Sequence, residues 1–457
     1  MNTTQTLDRY GAPDPGLPAG LSAGSSAGSS AGSSEPADAQ HALSPDEIAI
    51  GVLIGRVSEY FDYFVYGFAS VLVFPSLFFP FERPLEGTLW SFTVFSFAFI
   101  ARPIGSLVFL AIQRRHGRGA KLVTALVLLG TCTAGIAFLP GYAVLGHWSY
   151  VLLAAFRTGQ GFALGGAWDG LPSLLALSAP PKHRGWYAMM GQLGAPIGFI
   201  IACGLFAFLH HSLQPADFLD WGWRYPFFVA FAVNVVTLFA RLRLVMTGEF
   251  QALFAQRELH PEKAGVLLRE QGYVVILGAF GALASYALFH LVTVFALSWI
   301  VLYPRQSISQ FFRVEIVGAV LGAAGMILSG AIADRIGRRS TLAVLALLIA
   351  VFSGFIPRLL GGGSWGQDVF LLLGFSLLGM SYGQAAGSMN DWFAPRFRYT
   401  GAALTSDLAW LIGAGFAPVV ALGLSAHFGL GYVSLYLLSG SVCTLAALAI
   451  GHRMRRG

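Results

Sequence analysis

Twelve predominantly apolar runs, each long enough to cross a bilayer, recur along this chain and leave little choice of fold. A hydrocarbon core about 30 Å thick needs about 20 residues of helix. In lipid every backbone polar group must be paired within the protein, so spanning segments are helices or closed barrels. The runs fall near residues 48–74, 88–111, 121–140, 148–178, 185–211, 224–245, 273–303, 312–333, 340–358, 367–392, 399–426 and 431–451. Several exceed the minimum, as tilted helices do. The expected fold is all-α, a polytopic membrane protein of about twelve transmembrane helices. Composition agrees, because only 11% of residues are charged, against about 25% in soluble domains.

Basic residues predict the orientation. Alternate loops hold Arg114, Arg115, Arg118 and Lys121, then Lys182 and Arg184, then Arg335, Arg338 and Arg339, then Arg396 and Arg398. The opposite loops offer little beyond Arg83, Arg305 and Arg358. Both termini are expected to be cytoplasmic, in a cell inner membrane. The net charge of +6 comes from these short clusters, which suit an anionic lipid leaflet and not nucleic acid. The lipid bilayer is the expected partner.

Residues 1–46 repeat Ala-Gly-Ser-Ser three times between Ala23 and Ser34, with no apolar run before Ile48. They read as a disordered cytoplasmic tail and not a signal peptide. Residues 47–245 form a first half of six spans, 246–272 a polar central cytoplasmic loop, 273–452 a second half of six, and 453–457 a basic tail. In such six-plus-six layouts substrate sites lie near the midplane between the halves. Cys132, Cys203 and Cys443 are far apart within apolar runs, with no metal-ligand spacing, so neither a metal site nor a cofactor is expected. No nucleophile–base constellation suggests an enzyme.

The turn after the eighth span reads Asp334-Arg335-Ile336-Gly337-Arg338-Arg339, with Gly330 four residues ahead. A carboxylate and guanidinium groups in such a turn lock helix ends. The run resembles the G-x-x-x-D-R-x-G-R-R/K signature of the major facilitator superfamily, which implies a gate latch made by Gly330, Asp334, Arg335, Gly337, Arg338 and Arg339. The equivalent turn after the second span, Gln113-Arg114-Arg115-His116-Gly117-Arg118, has Arg114 where the family has Asp.

The first span carries Glu59-Tyr60-Phe61-Asp62-Tyr63-Phe64-Val65-Tyr66-Gly67. This is similar to the E-W-Y-D-F-x-x-Y-G run of the metabolite:proton symporters, the family of proline/betaine, α-ketoglutarate, citrate and shikimate permeases. Ala101-Arg102-Pro103-Ile104-Gly105, Gln160 to Gly166, Trp221 to Arg224, Phe393 to Gly401 and Ala417-Pro418 extend the resemblance over about residues 50–430. It implies the major facilitator fold of two six-helix halves, and symport of a small polar metabolite, an organic anion or a zwitterion, with protons. Three carboxylates of the family's first half are missing. Ala167 replaces the Glu of its G-G-E-W, Leu177 stands near another, and Arg114 is the third, although Asp169 lies close to the first. Asp391 stands where the family has Glu.

Charges inside the spans are functional candidates. Arg157 lies about 14 Å along the fourth span at 1.5 Å per residue. Asp62 and Arg157 fall near mid-membrane, and Glu59, Arg102 and Asp169 about a third of the way from the cytoplasm. Glu59 and Asp62 share one helix face, with Tyr66 one turn on from Asp62. An acid that gains and loses an arginine partner can take up and release a proton, with a substrate carboxylate as competitor for the arginine. The alternative is a permanent ion pair that sets helix register. Weaker candidates are His290, Asp407 with Arg398 as candidate partner, and Glu315 near the outer edge. Efflux of a metabolite, or sensing on a transport-dead carrier scaffold, are the other expected functions.

Overall fold

A computed structural model describes residues 45–167, 175, 180–245, 261–385 and 392–456, and every regular element among them is helical. In chain order the principal helices are α1 (Pro45–Leu72), α2 (Pro84–Phe138), α3 (His147–Ala167), α4 (Arg184–Ser212), α5 (Arg224–Val245) and α6 (Ala264–Gly281). Then follow α7 (Leu283–Leu302), α8 (Ile308–Ile336), α9 (Arg338–Ser353), α10 (Ser364–Ala385), α11 (Pro395–Phe428) and α12 (Leu430–Arg456).

Among the described residues, seven helical stretches are long and apolar enough to cross a membrane on those grounds alone. One of them, the 55-residue α2, changes direction at Gly117, whose φ of 83° is far from helical, and so holds both the second and third expected spans. Helix α1 is long enough but carries Arg56, Glu59 and Asp62 along its middle. Each of the twelve expected spans thus falls on helix among the described residues. Fully apolar side chains such as Val236, Phe239 and Val351 remain more than 60% exposed, as a lipid-facing surface requires.

Boundaries differ from expectation in one informative place. The helix leading into the seventh span already begins at Ala264, inside the segment expected to be loop. Residues 1–44 of the expected tail, the loop residues 246–260, Asp169, Leu177 and Asp391 lie outside the described residues, and α1 already begins at Pro45.

Glycine sets the closest helix approaches, because a side chain would occupy the space of the neighbouring backbone. A Cβ on Gly161 of α3 would lie 2.1 Å from the Ala98 carbonyl of α2. In the second half a Cβ on Gly379 of α10 would lie 1.9 Å from the Gly322 carbonyl of α8. Equivalent helices of the two halves therefore pack by the same device. The turns repeat too, since Gly337 has φ 85° at the junction of α8 and α9, close to Gly117 in α2.

A candidate substrate and proton site between the halves

Where α1 faces the second half, Tyr60, Tyr63 and Phe64 pack on Phe289, His290, Tyr382 and Trp410. Two hydrogen bonds cross here, Tyr60 to Tyr382 and Tyr63 to His290 Nε2. Both hydroxyls sit among rings, where an unpaired polar group is costly, so they tie the halves together. His290, a weaker candidate from the sequence, is a contact between the halves.

A cleft of about 450 Å³ adjoins this layer, lined by Arg56, Glu59, Tyr60, Tyr63, Ala98, Phe99, Arg102, Arg157, Leu164 and Trp410. Three of its four charged side chains have ionic partners. Glu59 is held by Arg56 at 2.8 Å and by Arg241 at 3.0 Å. Arg102 reaches across to Asp407 of α11 at 2.8 Å, and Ser106 donates a hydrogen bond to the same carboxylate. Asp407 is more than two helical turns from Arg398, too far for the pairing expected between them.

Arg157 is different. It is buried, donates to the Phe95 carbonyl at 3.3 Å and to Gln160 Oε1 at 3.1 Å, and among the described residues has no partner at Nη2. Its guanidinium lies 3.8 Å above the Tyr66 ring and 4.8 Å above Phe95. Cation–π contact favours the charge but leaves its hydrogen-bonding capacity open. No carboxylate pairs with it among the described residues.

The expected direct contact of Asp62 with Arg157 is absent. Thr133 donates to Asp62 Oδ1 at 2.9 Å, Gln160 Nε2 donates to Thr133 at 2.9 Å, and Gln160 accepts from Arg157. All four side chains are buried. Gln160 stands one turn from Arg157 on α3, and Thr133 enters from α2, so the acid and the base communicate through two neutral groups. Sequence reasoning passed over both, although Gln160 opens one of the runs that carried the family resemblance.

The Asp334 turn lies at the end of the bundle that gathers the basic loops. Asp334 Oδ1 accepts the Gly185 backbone N–H at 2.7 Å and Oδ2 that of Trp186 at 3.3 Å, at the start of α4. Gly330 packs on Trp186 and Met189 of the same helix. Arg339 donates to the Leu448 carbonyl, and Arg335 is exposed. In the first half, where the family carboxylate is missing, Gln113 Oε1 accepts from Lys121 at 3.1 Å and from the Tyr399 hydroxyl at 3.0 Å. An amide oxygen thus takes part in the cross-half contact there, beside Lys121, whose ammonium lies 3.5 Å from the same Tyr399 hydroxyl.

A family model described as sugar (and other) transporter matches residues 48–259. The inner membrane metabolite transport protein YhjE of Escherichia coli K12 is 37% identical over 422 residues, covering 90% of this chain and 95% of that protein. The citrate-proton symporter of Klebsiella pneumoniae is 28% identical over 405 residues, covering 88% and 90% respectively. The solved Escherichia coli proton:xylose symporter XylE shares the fold, with a TM-score of 0.70 at 18% identity over 90% of this chain and 95% of that one. Through its 37% identity to YhjE over nearly the whole of both proteins, and with the major facilitator fold it shares with XylE, the chain belongs to the major facilitator superfamily of metabolite transporters, a multi-pass membrane transporter and not an enzyme.

Proposed function

We propose that the protein carries a small organic anion, such as a carboxylate, together with a proton by alternating access. One observation carries this reading: among the described residues the buried Arg157, which lines the cleft, has no carboxylate partner and an open Nη2. A buried guanidinium without a counter-ion is costly, and a planar carboxylate meets it with two parallel hydrogen bonds. The name of the citrate-proton symporter supports both the anion and the proton.

Asp62 is the proton carrier in this mechanism. Ionised, it accepts from Thr133; protonated, it donates, and the Thr133 hydroxyl and Gln160 amide must reorient to suit. That change reaches Arg157 without any direct competition between substrate and Asp62. The basic end is cytoplasmic by the concentration of Lys and Arg, in an inner membrane like that of YhjE. Asp334 with Gly185, Gln113 with Tyr399, and Arg102 with Asp407 then form the inner gate, which must part for release into the cell.

Counterflow in proteoliposomes tests the anion. Mono- and dicarboxylates are expected to exchange, and their uncharged amides are not. Arg157→Lys keeps the charge but loses the planar fork, and its half-saturation concentration should rise about tenfold, the equivalent of about 1.4 kcal/mol. Equal exchange of acids and amides, or an unchanged Arg157→Lys, counts against the reading.

A further inference from the structure

Glu315 takes part in none of these contacts. It lies about two turns into α8 from Ile308, at the end of the bundle away from the Asp334 turn. Its side chain is fully buried. Among the described residues its hydrogen-bond partner is the Cys203 thiol of α4, 3.7 Å from Oε2, and Oε1 has none. Helices α4 and α8 belong to different halves, so Glu315 and Cys203 meet across the seam between them.

The packing one turn to either side of Glu315 on α8 is apolar. Phe68 of α1 packs on Phe312, one turn before Glu315, at 5.7 Å, and Phe375 of α10 packs on Gly318. Cys203 is the titratable group that faces it, and no Lys, Arg or His pairs with it among the described residues. A sodium ion would need more oxygens than this carboxyl and the Phe312 carbonyl, which itself accepts from Cys203 at 3.7 Å. The chemistry on offer is that of a proton.

We propose that Glu315 is a second proton-binding site, distinct from Asp62, whose protonation closes the seam between α4 and α8. A carboxylate with neither cation nor strong donor is disfavoured in an apolar seam, so the closed seam holds the neutral acid. When the halves part, water reaches the group and stabilises its ionised form. Proton binding and closure are therefore reciprocally linked. Acid on that side favours the closed seam, and alkali favours the open one. This depends on the halves separating here, but not on the solute carried nor on Asp62 binding a proton.

Cys203 provides the probe. In the full-length protein with Cys132→Ala and Cys443→Ala, it is the remaining thiol, and maleimide labels it only when the seam opens. Labelling rates are compared between pH 5.5 and 8.5 for Glu315 and for Glu315→Gln, which mimics the neutral acid at every pH. Dividing one by the other cancels the intrinsic rise of thiolate with pH. The ratio is expected to be near one in acid and to rise about tenfold in alkali, since one coupled proton shifts an equilibrium by at most tenfold per pH unit. Glu315→Asp retains a titrating group and should retain the rise. It serves as well if Glu315→Gln accumulates poorly, with rates then divided by those of a cysteine peptide. A seam that stayed shut gives the opposite sign, because an ionised Glu315 hinders formation of the adjacent thiolate. A flat or falling ratio, or no labelling at any pH, overturns the proposal.

Discussion

Asp62→Asn is expected to abolish accumulation of substrate against its gradient while leaving exchange intact. Asparagine matches the shape of aspartate and can still accept from Thr133 through Oδ1, so the chain through Gln160 to Arg157 survives. What it loses is a group that titrates. With one proton per anion, a pH difference of one unit is worth about 1.4 kcal/mol and supports about tenfold accumulation. In the variant that ratio should fall to one. Exchange needs no net proton movement, and should stay within about twofold of the parent at this isosteric site. The check is uptake driven by an imposed pH step, set beside counterflow in the same vesicles. Full accumulation by Asp62→Asn would move the coupling proton elsewhere, with Glu59 the next acid on α1.

The other large effect is expected at Arg102 and Asp407. Their ion pair joins the halves with side chains only 13% and 5% exposed. Removing either partner leaves an uncompensated charge, which costs about 3–5 kcal/mol where a pair is buried. The Ser106 hydrogen bond to Asp407 cannot neutralise it. Arg102→Met and Asp407→Leu should each lower the yield and thermal stability of the purified protein. The double variant should regain most of that loss, since an apolar pair of similar volume often replaces an ion pair at no net cost. Because the pair also bridges the proposed inner gate, the double variant should rest more open at the basic end, read as faster thiol labelling of a cysteine placed at Ser406. Independent, additive losses in the two single variants would show that the pair does not act as a unit.

Much of the architecture was legible in the sequence, since lipid leaves the backbone few options and the span lengths follow from bilayer thickness. The Asp334 run and the glycine-bearing Gln160 to Gly166 run are short-range signals, and each sits where a helix end or a close approach needs it. Partner choice was not legible. Arg102 and Asp407 are far apart in the chain, and nothing local distinguishes Asp407 as its partner from any other acid. The same holds for Asp62 and Arg157, whose separation by Thr133 and Gln160 depends on how α2 and α3 pack. Glu315 was expected near an outer edge because its distance along the helix is all that a span pattern provides. That it turns into the seam, towards Cys203 and away from water, follows from how the two halves pack.

The coupling mechanism stands or falls on the number of protons that cross with each anion. Proteoliposomes loaded with a pH-sensitive dye and supplied with a labelled carboxylate report both fluxes at once. One proton should enter per anion in the parent protein, with proton entry lost and exchange retained in Asp62→Asn. Accumulation of the anion by the parent with no accompanying proton entry would contradict proton-coupled transport through Asp62.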